Sequence, residues 1–233
     1  MTGSTLIPPQ RPGLGRHHAP DARDHAFLLR ATAPQPPRTK MWPLMARWLD
    51  QGETGTCVGH AFRHLLTGTP QPLGDPAPSP FAIYDRAILL DEFPDNDRDT
   101  QRQMGTSVRA GAKALQELGL IGAYGWAYDV DTAIDWLSWH GPLVAGFAWR
   151  DSFFARDQDG FMRITPRSRI VGGHCILIVG VDLRRQAVRC LTSWSTFGYF
   201  FLSFADLERL LKEDGECVAP TEVPHTTRKA VTA

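Results

Sequence analysis

Cys57 and His174 are the side chains with the clearest capacity for chemistry. Cys57 ends the run Asp50-Gln51-Gly52-Glu53-Thr54-Gly55-Thr56-Cys57, and His174 opens Gly172-Gly173-His174-Cys175-Ile176-Leu177-Ile178-Val179-Gly180. A thiol nucleophile and its imidazole base can lie far apart in sequence, because they need meet only in space. The thiol must ionise to attack. A helix starting at Cys57 would supply partial positive charge and unpaired N–H groups that favour the thiolate and lower its pKa. The same N–H groups, with the side-chain amide of Gln51, could stabilise an oxyanion. Gly52 and Gly55 let the loop turn back sharply enough. Gly172 and Gly173 remove side chains in front of His174 and open a path for substrate.

Each residue also has a plainer reading. Free cysteines are usually buried and inert, Gln51 alone reads as a solvated loop residue, and a histidine on an apolar strand reads as a satisfied core residue. Cys175 must face the opposite side of the strand from His174 by period-two alternation, so it is assigned to the core. A rival constellation is Cys57, His60 and His64, at i, i+3 and i+7 on one helical face, which is a spacing able to present three metal ligands. It leaves Gln51 and His174 without a purpose, and no metal or cofactor is expected. His17-His18 reads as solvated. So do Asp91-Glu92 and Asp95-Asp97-Asp99, which lack EF-hand spacing.

The elements that must position these groups follow from pattern. Residues 1–40 are rich in Pro, Arg and His, lack periodicity, and read as an extended, partly disordered arm. Trp42, Leu44, Met45 and Trp48 are expected to dock on a core. Val58, Ala61, Phe62, Leu65 and Leu66 recur at helical spacing from Cys57, with Gly68 as the stop. Five prolines make residues 69–80 a loop. Helices are predicted over 81–90, after Ser79-Pro80, over 107–118, capped by Gly119, and over 132–140. A polar surface loop is expected over 91–103. Strands are predicted over 143–149, 160–165, 174–182, 188–193 and 198–203, followed by a closing helix over 206–212. Helices first and strands later give an α+β chain. Its divisions are an arm (1–40), a helical lobe with the nucleophile (41–130), a β-rich lobe with the histidine (131–215) and a tail (216–233).

The whole chain narrows the function classes. The 233 residues carry 25 basic and 25 acidic side chains, for a net charge of zero. No basic patch stands out, so nucleic acid is not an expected partner. No apolar run approaches the roughly 20 residues that span a bilayer. The N-terminal residues have neither a charged n-region nor a long apolar stretch. The four cysteines show no CxxC pairing, which favours free thiols and a reducing, cytoplasmic compartment. Oligomeric state is not readable.

In order, Gln51-Gly-x-x-Gly-x-Cys57, Gly173-His174 before an apolar strand, Ser193-Trp194, and Gly198-Tyr199-Phe200 resemble the papain-like cysteine peptidase family. The resemblance is to its prokaryotic and viral branch and covers residues 40–212. Pro20-Asp21-Ala22-Arg23-Asp24-His25 is similar to the lead-in of that branch. The resemblance implies a two-lobe fold, a strand-rich antiparallel second lobe, and hydrolysis of peptide or protein substrates. It implies that Gln51 is the oxyanion-hole glutamine, Cys57 the nucleophile and His174 the general acid and base. It also implies that Gly105 is a glycine whose backbone pairs with substrate, and that Trp194 shields the histidine's hydrogen bond. Without it, Gly105 is a turn glycine and Trp194 a core aromatic.

The sequence departs from that family at four places. Thr192 stands where the family places the asparagine that fixes the histidine tautomer; its hydroxyl can accept the same bond but is shorter. Thr54 replaces the disulfide cysteine of secreted relatives. Val58 replaces the usual tryptophan. About 40 residues precede the catalytic loop, too few for the usual inhibitory propeptide, so an autoactivated zymogen is not expected. The alternatives left open are a catalytically impaired binding or structural module, and an amidase or acyl transferase on the same Cys-His dyad.

Overall fold

The structure, a computed structural model, describes residues 12–30, 35–45, 48–70, 72, 77–94, 96 and 99–224. Nine strands and five helices follow one another in the described residues. They are β1 (Arg16–His17), β2 (Lys40–Met41), α1 (Cys57–Leu65), α2 (Pro80–Ala87), β3 (Thr106–Ser107), α3 (Val108–Glu117), β4 (Ala123–Ala127), α4 (Val130–Trp139), β5 (Leu143–Arg150), β6 (Ile170–Asp182), β7 (Ala187–Leu191), β8 (Tyr199–Ser203), α5 (Phe204–Lys212) and β9 (Glu216–Glu222).

Capping explains where the helices begin. The Ser79, Ser107, Asp129 and Ser203 side chains accept from Ala82, Ala110, Thr132 and Asp206 N–H groups, satisfying donors that a first turn leaves free. The helix at Cys57 has no side-chain cap, so its first N–H groups stay available. All nine residues of α1 are buried, because α2, α3 and the sheet enclose it.

The main sheet runs β4-β9-β5-β6-β7-β8, with every pairing antiparallel and β2 added to β6. Strand β6 divides two cores by alternation. Cys175, Leu177 and Val179 face the helices with Cys57, Val58, Phe62 and Leu115. Ile176 and Ile178 face the other way, with Trp149, Val188, Phe200 and Leu207. This is the α+β class predicted from the order of helices and strands.

Several expectations are corrected. Residues 160–165 do not form a strand. The Asp157 carboxylate accepts from the Asp159 and Phe161 N–H groups and holds a turn there, leaving one isolated bridge from Phe161 to Phe201. The first part of the expected C-terminal tail, Glu216–Glu222, is β9, an interior strand between β4 and β5, while residues 225–233 lie outside the described residues; β4 itself was also not foreseen. Trp42 is buried and Leu44 and Trp48 pack on the core, but Met45 is exposed. Within the polar loop, Asp91 accepts from Asn96 and Thr106, while Asp99 accepts from Tyr84 and Met104. These acids therefore build the turn into Gly105 rather than facing water. Asp95 and Asp97 lie outside the described residues.

The arm differs most from expectation. Leu14, Arg16, Asp24 and Leu29 are buried. The arm does run extended at β1, which pairs parallel to β3. A short 3-10 turn over Ala22–Phe27 follows, and the Asp24 carboxylate there pairs with the buried Arg109 guanidinium. His17 is not a solvated residue, since its Nε2 lies against the Met104 carbonyl. Residues 1–11 lie outside the described residues.

Candidate active site

Cys57 begins α1, and its thiol has no solvent exposure. Backbone N–H groups of Cys175 and Gly15 lie against the sulfur and favour the thiolate, but burial outweighs them and pushes the thiol up to about 11. This reverses the lowered pKa expected from the helix terminus. The other three cysteines are also free and buried.

His174 lies on β6 opposite Phe147 of β5 and is equally enclosed. Its Nε2 is 2.9 Å from Thr192 Oγ1. The Trp194 indole stacks on the imidazole with centroids 3.9 Å apart and planes 7° from parallel, and Trp149 presents its edge from 4.7 Å. Burial without a facing carboxylate holds the imidazole down to about 3, and His60 adds to the lowering. The second nitrogen, Nδ1, is buried without a hydrogen bond of ordinary geometry, although the Gly13 backbone lies close enough to the ring to oppose the lowering. The Thr192 bond thus occupies one nitrogen and leaves the other for proton transfer. A hydroxyl both donates and accepts, however, so Thr192 fixes the ring's position more firmly than its tautomer.

Gln51 is held rigidly. Its backbone N–H donates to the Ser193 carbonyl at 2.9 Å, and its Oε1 accepts from the Ser193 hydroxyl. This turns Nε2 toward the groove. Thr192, Ser193 and Trp194 therefore fix the imidazole and the amide together. Trp48 reinforces the run by donating Nε1–H to the Thr192 carbonyl at 2.7 Å. Sequence reasoning quoted Ser193 in the Ser193-Trp194 block but gave it no role, and it missed Trp149.

The groove is occupied by the chain's own arm. Gln51 Nε2 donates to the Gly13 carbonyl at 2.9 Å, Gly15 N–H donates to the Gly173 carbonyl at 3.0 Å, and Thr106 N–H donates to the Gly15 carbonyl at 2.8 Å. The fit depends on glycine: a β-carbon on Gly15 would lie 1.9 Å from the Gly55 carbonyl oxygen. Gly105 touches the arm through its α-carbon side, while its own carbonyl accepts from Asn96 Nδ2 at 2.6 Å. The backbone pairing expected at Gly105 is made by Thr106. An N-terminal segment of the chain thus lies over Gln51, Gly173 and Thr106.

His60 and His64 are committed elsewhere. His60 Nδ1 bonds to the Thr56 carbonyl, and His64 Nε2 accepts from Leu49 N–H. No group of three metal-binding side chains occurs among the described residues.

No family model and no curated protein matches the sequence. Solved structures do. The structure of xylellain, a cysteine protease from Xylella fastidiosa, is similar over 95% of this chain and 100% of its own, with a TM-score of 0.71 and 19% identity. The chain has the papain-like fold. Digestive procathepsin L 3 of Tenebrio molitor larval midgut matches the same papain-like frame over 91% of this chain and 76% of its own (TM-score 0.61, 12% identity). The proCathepsin B S9 of Trypanosoma congolense does so over 91% and 84% (TM-score 0.54, 12% identity). No described helix of this papain-like chain is long and apolar enough to cross a membrane.

Proposed function

We propose that this chain is a cysteine peptidase that hydrolyses peptide bonds of peptide or protein substrates in the cytoplasm, without metal or cofactor. The observation that carries the reading is the hydrogen bond from Gln51 Nε2 to a peptide carbonyl, made in a groove bounded by Cys57 and the Thr192-bonded His174.

Once the arm leaves, His174 Nδ1 takes the Cys57 proton and the thiolate attacks the scissile carbonyl. Gln51 Nε2 and the Cys57 N–H receive the oxyanion. His174 then gives the proton to the departing amine, leaving a thioester on Cys57. Water, deprotonated by His174, hydrolyses the thioester and restores the thiol. Thr192 holds the imidazole, Trp194 keeps water off that bond, and the Gly173 carbonyl and the backbone at Gly105-Thr106 align the substrate.

In the covered state both Cys57 and His174 are neutral, which favours the catalytically impaired module as a second reading. Peptide hydrolysis by the full chain, compared with Cys57→Ala, separates the two. Turnover lost on that substitution supports the peptidase. Turnover absent in both even after the arm is displaced favours the module, and turnover unchanged by the substitution removes Cys57 from the mechanism.

A further inference from the structure

Among the described residues of the arm, Arg16 sends a charged side chain to Glu216 beside the groove. It is 6% exposed, and its partner Glu216, the first residue of β9, is 3% exposed. Arg16 Nε and Nη2 donate to the same carboxylate oxygen at 3.0 and 2.7 Å, and Nη2 also donates to the Asp214 carbonyl at 2.6 Å. The space for this side chain exists because β5 has a glycine at 146. A β-carbon there would lie 2.7 Å from Arg16 Nε, 3.0 Å from Glu216 Oε1 and 2.6 Å from the Val108 side chain. Any larger residue would fill the pocket.

We propose, resting on the peptidase reading, that this pocket between Gly146, Val108 and Glu216 is a specificity pocket of the cleft and takes an arginine side chain of the substrate. Arg16 comes off the backbone immediately after Gly15, whose N–H and carbonyl bond to Gly173 and Thr106 on the two sides of the groove. A peptide lying on those same groups delivers a neighbouring side chain to the same wall. A carboxylate enclosed by apolar surface is costly unless a cation meets it. A neutral substrate side chain would cover Glu216 without compensation, whereas a guanidinium replaces Arg16 in kind. Two acceptors in different directions, the Glu216 carboxylate and the Asp214 carbonyl, suit the planar fork of arginine better than the single ammonium of lysine.

The pocket is tested separately from catalysis in the full chain. Arg16→Ala leaves Glu216 without its cation and a hole of side-chain size. Its thermal unfolding midpoint should rise in millimolar ethylguanidinium but not in neutral N-ethylurea, and Arg16→Ala/Glu216→Gln should lose the difference. Equal response to the two probes, or a preference that survives Glu216→Gln, overturns the proposal. Peptide electrophiles carrying arginine or its neutral isostere citrulline at one of the three residues before the reactive carbonyl give the second measurement, which does not depend on Arg16→Ala folding. Arginine should speed Cys57 labelling about 10-fold or more at one position, and Glu216→Gln should bring the ratio near one. Equal labelling by both peptides overturns the pocket and leaves the peptidase reading standing. Guanidinium stabilisation with no Cys57 labelling does the reverse.

Discussion

Thr192 Oγ1 lies 2.9 Å from His174 Nε2, at the place where the imidazole needs a hydrogen-bond partner, and Trp194 covers the pair. Thr192→Val keeps the shape and removes the partner. A hydrogen bond to an ionisable group is worth roughly 1.5–3 kcal/mol, so kcat/KM should fall about 10- to 150-fold if all of it is felt in the transition state. Unchanged kcat/KM for the valine variant would remove Thr192 from the mechanism. Thr192→Asn supplies a longer acceptor, but Thr192 has no exposed surface. Packing strain of about 1–3 kcal/mol should appear as a lowered Tm, whatever the effect on rate.

Cys57 is shielded by the arm, and the seat of that arm is Gly15. Gly15→Val cannot occupy it, since even the first side-chain carbon would collide with Gly55. Water then reaches the sulfur, and its pKa should fall from about 11 toward the ordinary thiol range. A fall of two units raises the thiolate fraction near neutral pH by about 100-fold. Iodoacetamide labelling followed by mass mapping should show Cys57 accelerated on that scale. Cys190 and Cys217, buried in the other core from Cys57, should be unchanged. Equal Cys57 rates in the two proteins would mean that the arm does not control access.

Acid should destabilise the covered state. His174 and His64 are each held near 3 by burial, below the ordinary value of 6.5. Between these values the unfolded chain binds more protons than the folded one, so stability falls as pH drops below about 6.5. Each imidazole contributes up to about 2 kcal/mol between pH 6.5 and pH 5. Urea unfolding at pH 7 and pH 5 measures this directly. A midpoint that rises on acidification would contradict the burial of these rings.

The Leu177 side chain faces the helical core from the middle of β6, fully buried. Leu177→Ala should cost about 2–5 kcal/mol by lost transfer energy and the cavity left behind. Chemical unfolding checks the value. A loss below 1 kcal/mol would mean that this strand is not the wall between the two cores.

What the sequence revealed and what it hid have separate physical causes. The helix at Cys57 and the strand at His174 carry local signals, an apolar period of 3.6 and an unbroken apolar run, so both could be read. Strand β9 could not. Its Glu-Cys-Val-Ala-Pro-Thr-Glu has a proline and no clean alternation, and its place is set by partners on β4 and β5 far away in sequence. The arm was the larger surprise. Its proline, arginine and histidine content signals disorder when read locally. Yet it is held by backbone bonds to groove walls and by two buried ion pairs, Arg16–Glu216 and Asp24–Arg109, whose partners lie 200 and 85 residues away. The thiol pKa was misjudged for the same reason. A helix terminus is visible in sequence; the segment that covers it is not.

The most direct test of the central claim is covalent capture. Full-length Gly15→Val, whose groove is open, is treated with a peptidyl epoxide or acyloxymethyl ketone, and the modified residue is mapped by mass spectrometry. The account predicts one adduct, on Cys57, that is lost in Gly15→Val/His174→Ala and formed more slowly in the parent chain. No adduct on Cys57 in the open variant, or an adduct indifferent to His174, would contradict it.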